Sequence, residues 1–152
     1  MHETWRPKAF MSRDEFLAMQ WIRENLPSDA IIASDRKSKE GWSGDYVASV
    51  WFGYSAYSGK QFYNEGEDYN PYAVAKVSHQ RWEQNKRLIT ARSPYEMSKA
   101  WANTRAGFII ISKRINEPTP TLENSSDIIF ENSDILLLRN PHFSDSQKGV
   151  NF

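Results

Sequence analysis

The chain contains no cysteine. Thiol nucleophiles, thiolate-bound zinc and disulfides are excluded, and the redox compartment stays open. Neither sign of charge is in excess, since Lys+Arg and Asp+Glu both number 19. A dedicated nucleic-acid or membrane-surface binder needs surplus positive charge, so no nucleic-acid partner is expected. Long hydrophobic runs are also missing. The longest strongly apolar stretch, Ala106–Ile111, is far short of the roughly 20 residues a membrane helix needs. There is no internal repeat and no low-complexity segment.

What remains is the composition of a globular domain. The 152 residues are 39% hydrophobic and 25% charged. A domain of about 150 residues buries roughly 70% of its unfolded surface and needs no covalent or metal staple. Residues 1–11 lack periodicity and an apolar core, so they are expected to be irregular and not a secretory leader. Residues 12–140 read as a single domain, and 141–152 as a polar tail.

Ser12-Arg13-Asp14-Glu15 is a capping box, flanked by Met11 and Phe16 in hydrophobic-staple positions. Apolar residues at helical spacing and the stop at Pro27 predict a helix over 13–25. Ala30 to Ser34 reads as a buried strand, and 35–45 as a polar loop. Val47, Val50, Trp51 and Tyr54 predict a helix over 46–56, capped by Asp45. A strand over 60–64 and a polar turn over 65–68 follow. Asn70-Pro71 opens a long helix with a stripe of Val74, Val77, Trp82, Leu88 and Ile89. Ser93-Pro94-Tyr95-Glu96 is a second capping box, starting a helix that ends near Gly107.

Phe108 to Ile111 is the strongest strand pattern. Residues 113–126, rich in Pro, Thr, Asn and Ser, read as loop. Runs at 127–131 and 134–139 around Asn132-Ser133 predict a closing hairpin. Strands alternating with helices imply right-handed crossovers. The expected fold is therefore a three-layer α/β domain, with a mainly parallel sheet of about five strands and a C-terminal antiparallel hairpin.

No complete catalytic constellation is present. Gly53 to Lys60 superficially resembles a phosphate-binding P-loop. It has five residues between the glycines instead of four, Gln61 where magnesium needs Ser or Thr, and bulky Tyr54 and Tyr57 within the loop. A helix end followed by a strand is the preferred reading. His79 and Glu83 share a helix face, but two ligands do not make a zinc site. No G-x-S-x-G elbow appears. Glu65, Glu67 and Asp68 lack the EF-hand spacing and read as a solvated turn. No metal and no cofactor is expected.

In open parallel sheets, ligands bind beyond the carboxyl ends of the strands. That edge would collect Ser34, Asp35 and Arg36, then Glu65, then Ser112, Lys113 and Arg114. Trp21, Trp51, Trp82 and Trp101 fall on apolar helix faces and read as core, whereas Trp5 and Trp42 fall in loops. Asn124-Ser125-Ser126 has the form of a glycosylation sequon, a triplet that chance often produces.

Several segments, in order, resemble one family. Trp21 to Ser34 is similar to a W-I-R-E-N-x-P-x-D-A-x-I-x-S stretch. That stretch is found in soluble C-terminal domains of bacterial polytopic membrane proteins. Those proteins resemble the lipid-linked-sugar (GT-C type) glycosyltransferases, including mannosyl- and arabinosyltransferase-like families. Tyr57-Ser58-Gly59-Lys60-Gln61-Phe62-Tyr63 resembles their small-Gly-basic segment, with Lys60 where arginine is usual. Phe108 to Ile111 matches their late apolar strand, and Ile128 to Leu138 their closing hairpin.

The resemblance spans about residues 12–139. It implies a soluble, extracytoplasmic, non-catalytic domain whose partner is the membrane portion of the same parent protein. The catalytic carboxylate of such proteins lies in the membrane portion, so no catalytic residue carries over. The domain would help bind acceptor, glycan or lipid-linked sugar. Tyr57, Ser58, Gly59, Lys60, Tyr63, Glu65, Asp35 and Arg36 are the candidate binding residues. Two alternatives stay open: a free-standing α/β enzyme acting on a small polar substrate, and a protein-interaction module.

Overall fold

The computed structural model describes residues 11–35, 53–63, 75–114 and 116–143, with side chains of the third segment described from residue 80 onward. In chain order the elements are α1 (Arg13–Asn25), β1 (Ile31–Ser34), α2 (Gly53–Ser58), β2 (Gln61–Phe62) and α3 (Ala75–Thr90). They continue with α4 (Pro94–Ala102), β3 (Phe108–Ser112), α5 (Pro120–Asn124), β4 (Asp127–Glu131) and β5 (Ile135–Arg139).

Local chemistry sets most of the boundaries. The Ser12 hydroxyl accepts from Glu15 N at 3.0 Å, and the Glu15 carboxylate accepts from Ser12 N at 2.8 Å. The box that starts α1 is thus closed from both sides. The second box is only half formed. Ser93 Oγ accepts from Glu96 N at 3.2 Å, but Glu96 turns its carboxylate to Arg92 N, at 2.8 Å. The helix that Ser93 starts ends at Ala102, five residues before Gly107, because Asn103 closes it through its backbone N–H. Gly107 instead donates to Ile31 O and accepts from Asn140 N, which makes it part of the strand entry.

Two further boundary expectations need correction. The predicted loop over 113–126 contains α5, with Thr119 as its cap and Pro120 in the first turn. Its Pro and Thr are helix-starting residues at those positions, and a count of turn formers does not register position. The helix predicted to end at residue 56 runs on to Ser58, where Gly59 at φ +65° takes the left-handed conformation that ends it. Residues 46–52 and the Asn70-Pro71 start lie outside the described residues, as do Trp5, Trp42 and Trp51.

The five strands form one mixed sheet in the order β2-β1-β3-β5-β4. β1 pairs parallel with both β2 and β3, whereas β5 pairs antiparallel with β3 and with β4. Four strands therefore run in one direction and β5 opposes them. β3 is buried at every residue and β5 at four of five, as strands covered on both faces must be. Alternation sends their side chains to two hydrophobic clusters. Ile109, Ile111, Leu136 and Leu138 join Leu88, Met97, Trp101 and Leu122 from α3, α4 and α5. Phe108, Ile110, Ile135 and Leu137 join Met19 and Ile22 of α1 and Tyr54 of α2. β4 is the exposed edge, and a register shift between Ile128 and Phe130 interrupts its pairing. Among the described residues, no helix is long and apolar enough to cross a membrane.

Candidate functional site

Polar side chains gather where β1 and β3 end side by side. Ser34 pairs with Ile110, and Asp35 N continues the ladder by donating to Ile110 O at 3.3 Å. This brings the Asp35 carboxylate, 2% exposed, onto the last residue of β3. Its two oxygens accept from Ser112 N at 3.1 and 3.0 Å, and Oδ2 also accepts from Asn116 Nδ2 at 2.9 Å. Asn116 is held in turn by its own N–H on Ser112 O, at 2.9 Å. From α3, the buried Asn85 donates to Ser34 O at 3.2 Å. Asn85 Oδ1 and Ser112 Oγ are buried without a hydrogen-bond partner among the described residues.

A second buried carboxylate lies at the start of α1. Glu15 is fully buried, though it is also the third residue of the capping box. Its Oε1 accepts from the Tyr54 hydroxyl at 2.8 Å. Its Oε2 accepts from Arg114 Nη1 at 3.1 Å as well as from Ser12 N. The Ser12 hydroxyl donates onward to Asp134 Oδ2, and Asn132 donates to Asp14 O at 2.8 Å. Ser112, Arg114 and Asn116, at the end of β3 and just after it, thus hold two buried carboxylates.

The candidate binding residues that are described do not converge. Tyr57 is half-exposed on the α1 side, with its ring edge-on to Phe16 at 5.6 Å and its carbonyl accepting from Arg23. Ser58 is buried, and its hydroxyl accepts from Lys60 N at 3.2 Å. Gly59 N closes the helix end on Ser55 O at 2.9 Å. Tyr63 lies on the other side of the sheet, where its hydroxyl donates to Gln84 and the Arg81 guanidinium sits 5.2 Å from its ring centre. Asp35 is at the carboxyl end of β1, and Lys60 precedes β2 at the amino end. Arg36 and Glu65 lie outside the described residues, as do Glu67, Asp68 and the His79 side chain.

Lys60 has a structural partner. Its Nζ donates to Leu26 O, at 2.8 Å, and Leu26 is the C-cap of α1. A cation on the last carbonyls of a helix satisfies an orphan acceptor and opposes the helix dipole. Lys60→Met is expected to lower stability by about 1 kcal/mol, read as a shift of the urea midpoint at constant slope.

Reading the sequence missed Asn85, Asn116 and the burial of Glu15. Asn85 did leave a trace, because it interrupts the apolar stripe between Trp82 and Leu88. No spacing rule points to Arg114 as the partner of Glu15, 99 residues away. No family model matches the chain, and no curated protein matches it.

Proposed function

We propose that the chain is a non-catalytic, extracytoplasmic α/β domain of a larger membrane protein of the lipid-linked-sugar glycosyltransferase type, where it helps to bind acceptor or glycan. The observation that carries this reading is the placement of the resembling segments. In chain order they fall on α1 with β1, on the turn from α2 into β2, on β3 and on the β4–β5 hairpin. Those are the elements that supply every strand of the one sheet. We read the two hydrophobic clusters flanking that sheet as the two outer interfaces of a three-layer domain. Lys60, the departure from the family's arginine, keeps its charge but gives up the planar fork and holds a helix end instead.

The test is fractionation of the source cells with an antibody raised against this chain. The expected result is a band in washed membranes, much heavier than 17.7 kDa. A soluble band at that mass would overturn the reading, as would sugar transfer by the isolated chain that is lost on heat unfolding. A soluble band would favour the second reading, a free-standing enzyme acting on a small polar substrate. Its support is the buried Asp35 at the carboxyl edge of the sheet, with Asn85 Oδ1 and Ser112 Oγ, unpartnered among the described residues, near the same strand ends.

A further inference from the structure

Ala91, just past the end of α3, and Ala100 in α4 belong to one buried cluster, each 4% exposed. Their small side chains leave an open groove of about 520 Å³ between the helices. Ligand sites span roughly 300–1,000 Å³, so the space suits a small organic molecule. The rim is formed by Arg87, Thr90, Arg92, Glu96, Lys99 and Asn103. Three cations and one carboxylate leave this groove with a formal excess of two positive charges, in a chain whose net charge is zero.

Helix ends account for only part of this clustering. Arg87 stands in the last turn of α3 and Lys99 in that of α4, where cations are favoured. Arg92 belongs to neither helix. Among the described residues the ion pairs are Lys113–Glu131, Arg114–Glu15 and Arg139–Asp127, so none of the three groove cations is paired there. The one carboxylate is directed at the Arg92 backbone N–H, 2.8 Å away. The polar neighbours have already spent donors on the backbone. Thr90 Oγ1 donates to Lys86 O and Asn103 Nδ2 to Lys99 O, both at 2.8 Å, which leaves their oxygens to accept.

We propose that the α3–α4 groove binds a phosphorylated polyol, with the phosphate on Arg87, Arg92 and Lys99 and the ligand hydroxyls donating to Thr90, Asn103 and Glu96. Guanidinium forks match phosphate oxygens two at a time, and a lysine adds a point charge. A ligand with hydroxyls is selected because the uncharged part of the rim offers acceptors. Both a free sugar phosphate and a phosphoglycerol lipid headgroup have this chemistry. The proposal is independent of the membrane-domain reading, and either outcome of cell fractionation leaves it standing.

The test is calorimetric titration of the full chain at low salt with glycerol 3-phosphate, alongside co-sedimentation with phosphatidylglycerol vesicles. Binding in at least one arm is expected. Arg87→Gln and Arg92→Gln, made singly, should each weaken it by about tenfold or more, because each removes a charge-assisted hydrogen bond. Lys86→Gln, an equal loss of charge on the same helix outside the groove, should change it by less than about twofold. All three positions are exposed, so the urea midpoint should be unchanged and should separate lost binding from lost folding. Saturable binding of the free ester identifies a soluble ligand. Vesicle binding that the free ester competes away identifies a lipid headgroup. No binding in either arm would overturn the proposal, as would binding that Lys86→Gln weakens as much as the groove variants do.

Discussion

Glu15→Ala is expected to lower the unfolding free energy by about 3 kcal/mol. The side chain is fully buried and, among the described residues, accepts from Ser12 N, the Tyr54 hydroxyl and Arg114. Truncation removes an acceptor from the tyrosine hydroxyl and from the guanidinium and opens one side of the α1 cap. Breaking a buried ion pair from one side costs roughly 3–5 kcal/mol. The lower end applies because the Arg114 side chain is 34% exposed and regains water. Glu15→Gln keeps one acceptor oxygen, enough for Ser12 N, turns an amide N–H toward the Tyr54 hydroxyl and loses the charge facing Arg114, so about 1–2 kcal/mol is expected. Urea unfolding of both variants checks the order. Equal losses for alanine and glutamine would mean that the charge matters and the cap does not.

Asp35→Ala is expected to cost a similar amount, about 3 kcal/mol, for a different reason. Its carboxylate is the acceptor for the buried Ser112 N–H and for Asn116 Nδ2. An orphaned buried N–H costs about 1–3 kcal/mol, and hydrogen bonds to a charged acceptor are worth more than neutral ones. Asp35→Asn retains one acceptor oxygen and should cost about half as much. Amide exchange gives a local readout. In Asp35→Ala the Ser112 N–H should lose at least about tenfold more protection than the Met19 and Ile22 amides of α1, which follow the global free energy alone. If protection falls evenly through the sheet and α1, the effect is global and Asp35 does not act at the strand ends.

The two carboxylates differ in how visible they were in the sequence. Glu15 was legible as a helix-capping residue, because the capping box operates over three residues and has a fixed spacing. Its burial was not legible. An acidic residue in a first helical turn is normally solvated, and what submerges this one comes from α2 and from the chain after β3. Asp35 was placed correctly at the carboxyl edge of the sheet by the general rule for parallel strands. The rule could not show that Asp35 faces inward and ties β1 to the end of β3. The turn residues Tyr57 to Lys60 behaved as local chemistry predicts, with a glycine in the left-handed region ending the helix. Tyr63 separated from them, because its ring went to the α3 side of the sheet while Tyr57 stayed on the α1 side.

Taken alone, the amino-acid sequence determined the features that depend on neighbours a few residues apart. These are the start of α1 at Ser12 and its stop before Pro27, the start of the helix after Ser93, the buried β1 and β3, and the closing hairpin. Caps, prolines and apolar periods act within one or two turns of chain, so their consequences can be read in place. Only the tertiary structure decided which hairpin strand joins the parallel part. β5 inserts between β3 and β4, so the last strand in the chain becomes central and β4 takes the edge. The physical reason is burial. Four consecutive residues of β5 are buried, with side chains going to both hydrophobic clusters, whereas β4 leaves its first two residues exposed to solvent. Which strand is covered on both faces depends on the whole set of helices. The same set fixes the pairings Glu15–Arg114 and Asp35–Ser112, 99 and 77 residues apart, at which no local rule operates.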